Sequence, residues 1–187
     1  MKKILTLAFF FSISFYSYSQ SKREIEERIA KEEVPFLAQK FIDSLYFSSK
    51  IRWYREKNYI KTTYEAKIKH TGKKYSIEFD SLGNIEDIEL EIKWKQISTS
   101  TQNAICEKLN TEFKKFKIKK IQIQYTGLKK DLFNFKISTQ SLIIKYEIIV
   151  KGKKDTQNSF YEYLFSEKGK LEQKLQIDFR NIDHLEY

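Results

Sequence analysis

Carboxylates crowd one short stretch of this chain. Glu78, Asp80, Asp87, Glu89 and Glu91 lie in and just beyond YSIEFDSLGNIEDIEL, Tyr75 to Leu90. Two chemistries use acids in such numbers. A helical-hand calcium loop needs alternating oxygen ligands closed by a glutamate. The register DSLGNIEDIELE puts Leu82 and Ile85 among the ligand positions. A glycosidase needs two carboxylates facing each other across a cleft, about 5–9 Å apart. Acids alternating along a strand are neighbours on one face and do not make a cleft. The expected role is a solvated acidic strand facing lysines on adjacent strands.

The other reactive side chains are isolated. His70 stands in the turn KHTGKK and His184 in NIDHLEY, far apart, whereas a metal site commonly has ligands at short local spacing. Cys106 is the only cysteine, beside an apolar helical stripe, and reads as a small buried hydrophobe. No glycine-rich phosphate loop, nucleophile elbow or zinc motif is present. These observations predict no catalytic residues, no metal and no cofactor.

The elements that carry these residues follow from composition and period. Lys2 and Lys3, an apolar run from Ile4 to Phe15 and the small residues Ser17 and Ser19 have the form of a secretory leader over residues 1–19. The run is shorter than the roughly 20 apolar residues of a spanning helix, so the reading is export, periplasmic or secreted, with no transmembrane segment after cleavage. Residues 20–187 then form one mature domain, long enough to hold a core without staples. The formal charge of +10 falls to +8 without Lys2 and Lys3. Lysines dispersed among acids mark a solvated surface, not a nucleic-acid groove.

Residues 22–33, KREIEERIAKEE, are charged and helix-prone. After Pro35, Leu37, Phe41 and Leu45 with Ala38 and Ile42 form a one-sided helical stripe. The period then becomes two: Ile60 to Ile68, Tyr75 to Phe79 and Ile88 to Trp94 alternate apolar with charged residues. A second helix is predicted from STSTQNAICEKLNTEF. Strands follow through Ile121–Tyr125, Phe133–Ile137, Ile144–Val150, Tyr161–Phe165 and Leu171–Phe179. FDSLGNI (Phe79–Ile85) aligns without a gap on FSEKGKL (Phe165–Leu171), so the order helix, strands, helix, strands reads as an internal repeat. The expected fold class is α+β, two tandem helix-then-antiparallel-strand repeats (about 33–95 and 97–179) forming one curved sheet with helices on one face.

The first copy resembles the PepSY-like domain of exported Bacteroidetes proteins, which is similar to the β-lactamase-inhibitor-protein fold. The resemblance rests on VPFLAQKF (Val34–Phe41), KIRW (Lys50–Trp53) and YEAKIKHTGKKYSIEFDSLGNI, and covers 33–95 well and 97–179 loosely. It implies a secreted or periplasmic, non-enzymatic protein whose exposed sheet face grips a partner. By period, that face carries Glu65, Lys67, Glu78, Glu89, Glu91, Lys145, Glu147 and Glu162. Phe160, Leu164, Ile143 and Ile149 add apolar area to it. The expected function is a binding module for an envelope or extracellular protein or polymer, and the resemblance implies peptidase inhibition or protein binding as the roles suspected for the wider group. The alternative is a carrier of a lipid or small apolar ligand held between helices and sheet.

Overall fold

A computed structural model describes residues 21–22, 25–57, 61–154 and 157–177. The expected leader, His184 and Phe179 lie outside these residues. The strands are β1 (Ser21–Lys22), β2 (Ile25–Ile29), β3 (Ile51–Lys57), β4 (Thr62–His70), β5 (Lys73–Phe79), β6 (Ile85–Glu91), β7 (Lys115–Thr126), β8 (Ile143–Lys154), β9 (Gln157–Ser166) and β10 (Leu171–Ile177). The helices are α1 (Phe36–Ser44), α2 (Thr99–Glu112) and α3 (Lys129–Phe133). No described helix is long and apolar enough to cross a membrane.

The expected fold class is corrected here. The chain is mostly β, one sheet with three short helices, and does not divide into two helix-then-strand repeats. Strands β2 to β10 pair antiparallel in sequence order, and β1 adds a parallel edge beside β10. A strand precedes α1, and α3 interrupts the strands of the second half. Two local readings fail with it. The charged segment predicted as helix supplies β2, because pairing with β3 overrides its helix propensity. Phe133–Ile137, predicted as strand, is α3 and the turns after it, where Leu132 and Phe135 plug into the core while Ile137 is exposed.

Apolar side chains form two clusters between the helices and one sheet face. Ala38, Phe41 and Ile42 of α1 pack on Trp53, Ile77, Phe79 and Ile88. Ile105 and Leu109 of α2 pack on Ile148, Tyr163 and Phe165. Two glycine turns lock the helices down. Gly83 (φ 85°) lies so close to α1 that a Cβ would meet Pro35 Cβ at 2.8 Å. Gly169 (φ 80°) would meet Ala104 Cβ of α2 at 2.8 Å.

The sheet is also rolled. β1 pairs with β10 and β2 with β3, at opposite ends of the strand order, yet only two residues separate them. Three Cα–Cα steps reach about 11 Å at most, so the two edges meet at that corner. The helices keep Phe36, Leu37, Lys40 and Asp43 outward, so they lie outside the roll. The helix-free face is the concave side.

Candidate functional site

All eight sequence-predicted residues fall on this helix-free face, because directly opposed residues share a face and the register links them in rows. One row runs Tyr54, Glu65, Glu78, Asp87 and Thr126 across five strands. The next runs Arg52, Lys67, Ser76, Glu89, Gln124, Lys145 and Ser166. Glu91, Gln122, Glu147 and Leu164 form a third, and Ile149 opposite Glu162 belongs to a fourth.

The face is not the open surface expected of it. Glu65 is 6% exposed, Lys67 7% and Glu89 4%, with Ser76, Asp87 and Gln122 also buried. Curvature crowds long side chains of neighbouring strands on the concave side. Glu78, Glu91, Lys145, Glu147 and Glu162 stay half-buried. Of the apolar candidates, Ile149 and Phe160 are buried outside both core clusters, Leu164 is half-buried and Ile143 is exposed.

The expected pairing of acids with lysines holds at only some positions. Lys67 reaches Glu26 at 2.7 Å and Glu65 at 3.0 Å, Lys74 reaches Glu91 at 3.2 Å, and Lys145 reaches Glu172 at 2.7 Å. Elsewhere like charges stand directly opposite each other. Glu65 opposes Glu78, Glu78 opposes Asp87, and Glu26 opposes Glu56. Arg52 opposes Lys67, Lys69 opposes Lys74, Lys117 opposes Lys151, and Lys115 opposes Lys153. Such pairs destabilise a sheet.

The electrostatic consequence is largest at the centre. Burial, then the neighbouring charges of Asp87, Glu89, Glu56 and Glu65, pushes the Glu78 carboxyl well above the usual range. Burial, then Glu147 and Asp87, does the same to Glu89, against a smaller opposing pull from Lys120. Neutral amides serve this cluster: Gln122 Nε2 donates to Glu89 at 2.6 Å and Gln124 Nε2 to Asp87 at 3.1 Å. Ser76 Oγ donates to Glu65.

Two carboxylate triads, Glu26–Glu56–Glu65 and Glu78–Asp87–Glu89, each bring one oxygen per residue within 4.8 Å of the others. In the first, the Lys67 ammonium already occupies the place of a cation. The second could hold a cation or share a proton. Sequence reading missed Glu26, Glu56 and Gln122. The first two sat in segments whose strand pairing was unread, and a glutamine's burial has no local signal.

On the helix side, the Lys136 ammonium lies 3.7 Å from the centre of the Phe47 ring, and His70 meets the same ring edge-to-face at 78°. Cys106 is half-buried at the margin of a surface groove.

No protein-family model and no curated protein matches the chain. Solved structures do. A proposed periplasmic protein of Bacteroides eggerthii DSM 20697 superposes with a TM-score of 0.53 at 16% identity, over 76% of this chain and 88% of its own. A DUF2874 family protein of Bacteroides ovatus ATCC 8483 superposes at 0.51 and 12% identity, over 76% and 87%. A BLIP-like protein of Bacteroides fragilis NCTC 9343 overlays at 0.47 and 17% identity, over 76% and 86%. The first two show a shared fold.

Proposed function

We propose that this chain is an exported, non-enzymatic binding module of the PepSY-like kind, with residues 1–19 as its leader. It recognises an envelope or extracellular protein or polymer through the helix-free face, and inhibition of that partner is one consequence such docking can have. The carrying observation is the set of like-charge rows on that face. They work against folding, and they sort the face into an acidic centre and basic strand ends. A sheet selected for stability alone would interleave the signs. Charge sorted this way serves complementarity with a partner. The fold shared with a proposed periplasmic protein agrees with the exported setting.

Contact falls to the half-buried members, Glu78, Glu91, Lys145, Glu147 and Glu162, while Glu65, Lys67 and Glu89 set the field from behind. The carrier reading draws less support, because the two clusters fill the space between helices and sheet with fully buried Ile105, Leu109, Phe79, Tyr163 and Phe165. Capture of envelope components by the mature chain, repeated with Glu91→Lys and Glu147→Lys together, tests the proposal. Capture should be lost while the far-UV spectrum and melt stay two-state. Capture that survives unchanged removes this face from consideration.

A further inference from the structure

The concave face changes sign where β3 and β5 begin and β4 ends. Arg28 of β2, Lys50 just before β3, Arg52 of β3 and Lys69 of β4 line a cavity of about 400 Å³. Arg52 and Lys69 also line a second cavity of about 220 Å³, completed by Ile68 and Lys74. Among the described residues no carboxylate lines either cavity. Lys74 is committed to Glu91, and Lys67 behind them to Glu26 and Glu65. Arg28, Lys50 and Lys69 form no ion pair among the described residues.

The register shows why the cations converge. Arg52 directly opposes Lys67, and Lys69 directly opposes Lys74, so cations face each other across two successive strand pairs. Glu26 and Glu65, the acids close by in the same strands, are taken by Lys67, which leaves Arg28, Lys50 and Lys69 without an ion pair among the described residues. A cationic residue on the edge strand β2 also deters edge-to-edge pairing, which accounts for Arg28. It does not account for Arg52 and Lys69, which lie on strands paired on both sides.

We infer that these adjoining cavities bind the phosphate or sulfate groups of a polyanionic ligand, with Arg52 and Lys69 shared between neighbouring groups. The guanidinium forks match tetrahedral oxyanions in bidentate fashion, and the lysines add point charges around them. A lone carboxylate would answer only one of Arg28, Lys50 and Lys69, whereas successive esters along a chain would answer all three. The inference rests on the reading of this face as the docking surface and names the chemistry recognised at one end of it.

Titration calorimetry of the full chain with pyrophosphate at near-physiological salt is the primary test. Pyrophosphate binds the unaltered chain, and Arg28→Gln with Lys69→Gln weakens binding about tenfold or more, the scale of lost hydrogen bonds to charged groups. Lys168→Gln with Lys170→Gln removes equal charge from the exposed turn between β9 and β10 and changes affinity less than about twofold, as remote screened charges do. Sedimentation with phosphatidylcholine vesicles, with and without phosphatidic acid, and calorimetry with a sulfated disaccharide separate the sources. Pyrophosphate-competed sedimentation with phosphatidate vesicles assigns a lipid headgroup. Disaccharide binding without sedimentation assigns a polymer ester. No pyrophosphate binding, equal loss in both double variants, or vesicle association that pyrophosphate does not compete overturns the inference. Partner capture sensitive to Glu91 and Glu147 would, in that event, leave the docking face standing and sink only the anion site.

Discussion

Replacing Glu78 by glutamine should stabilise this protein at neutral pH. Glu78 lies half-buried between Glu65 on β4 and Asp87 on β6, directly opposite both, on the concave side. Each like-charge cross-strand pair costs about 0.2–1 kcal/mol, so removing one carboxylate from two pairs returns about 0.5–2 kcal/mol. For a chain of this size about 1 kcal/mol moves the melting midpoint by about 2–4 °C. The pH dependence follows from linkage. The folded-state carboxyl sits above its unfolded value, because of burial and then the acids around it. The folded state therefore binds a proton that the unfolded chain releases, and stability falls as pH rises from the unfolded value through the folded one. Below the unfolded value the penalty is absent, and protonated Glu78 is nearly isosteric with glutamine. Thermal melts of both proteins from acid to neutral pH should show an advantage for Glu78→Gln that shrinks toward zero on acidification. A variant that melts lower at neutral pH, or an advantage that ignores pH, would refute the reasoning.

The opposite sign is expected at the end of α2. Burial pushes the Glu112 carboxyl up, but hydrogen bonds from Lys174, Tyr163 and Lys108 together hold it below its ordinary value. Its stability contribution is present above the unfolded value and fades as pH falls through the folded one. Tyr163→Phe removes the 2.8 Å donor to Glu112 Oε2 and should cost about 1–2 kcal/mol by chemical denaturation near neutral pH, with less cost in acid. Gly152 lies under the Phe113 ring, where an added Cβ would meet Cδ1 at 2.5 Å and Cζ at 2.7 Å. Gly152→Ala should therefore lower stability by about 1–3 kcal/mol in the same assay, since the ring is wedged against Tyr161 and Tyr163 and can yield only by repacking.

Much of the sheet was legible because alternation is a local signal. Tyr75, Ile77 and Phe79 all face the helices, and Ser76 and Glu78 face away, as their period demands. The stripe of α1 was legible too, except that Leu37 turns outward while Ala38 and Ile42 carry the contact. What could not be read locally was pairing at a distance. IEERI has a helical composition and becomes β2 only because β3 offers it an edge, with Arg55 reaching Glu27 at 2.7 Å. The same limit hid the buried state of Glu65 and Glu89. Residue type marks them as polar, but their burial comes from the rolling of the sheet, and the two-residue step between β1 and β2 that closes it has no sequence signature. The candidate site was thus found by face and misjudged in exposure.

The central claim is that the helix-free face meets the partner. A photo-crosslinking residue placed at Lys145 on that face, and separately at Lys40 on the outer side of α1, puts it to the test in an envelope fraction of the source cells. Discrete adducts from position 145, with none from position 40, are the predicted result. Adducts confined to position 40, or identical patterns from both, would contradict the account.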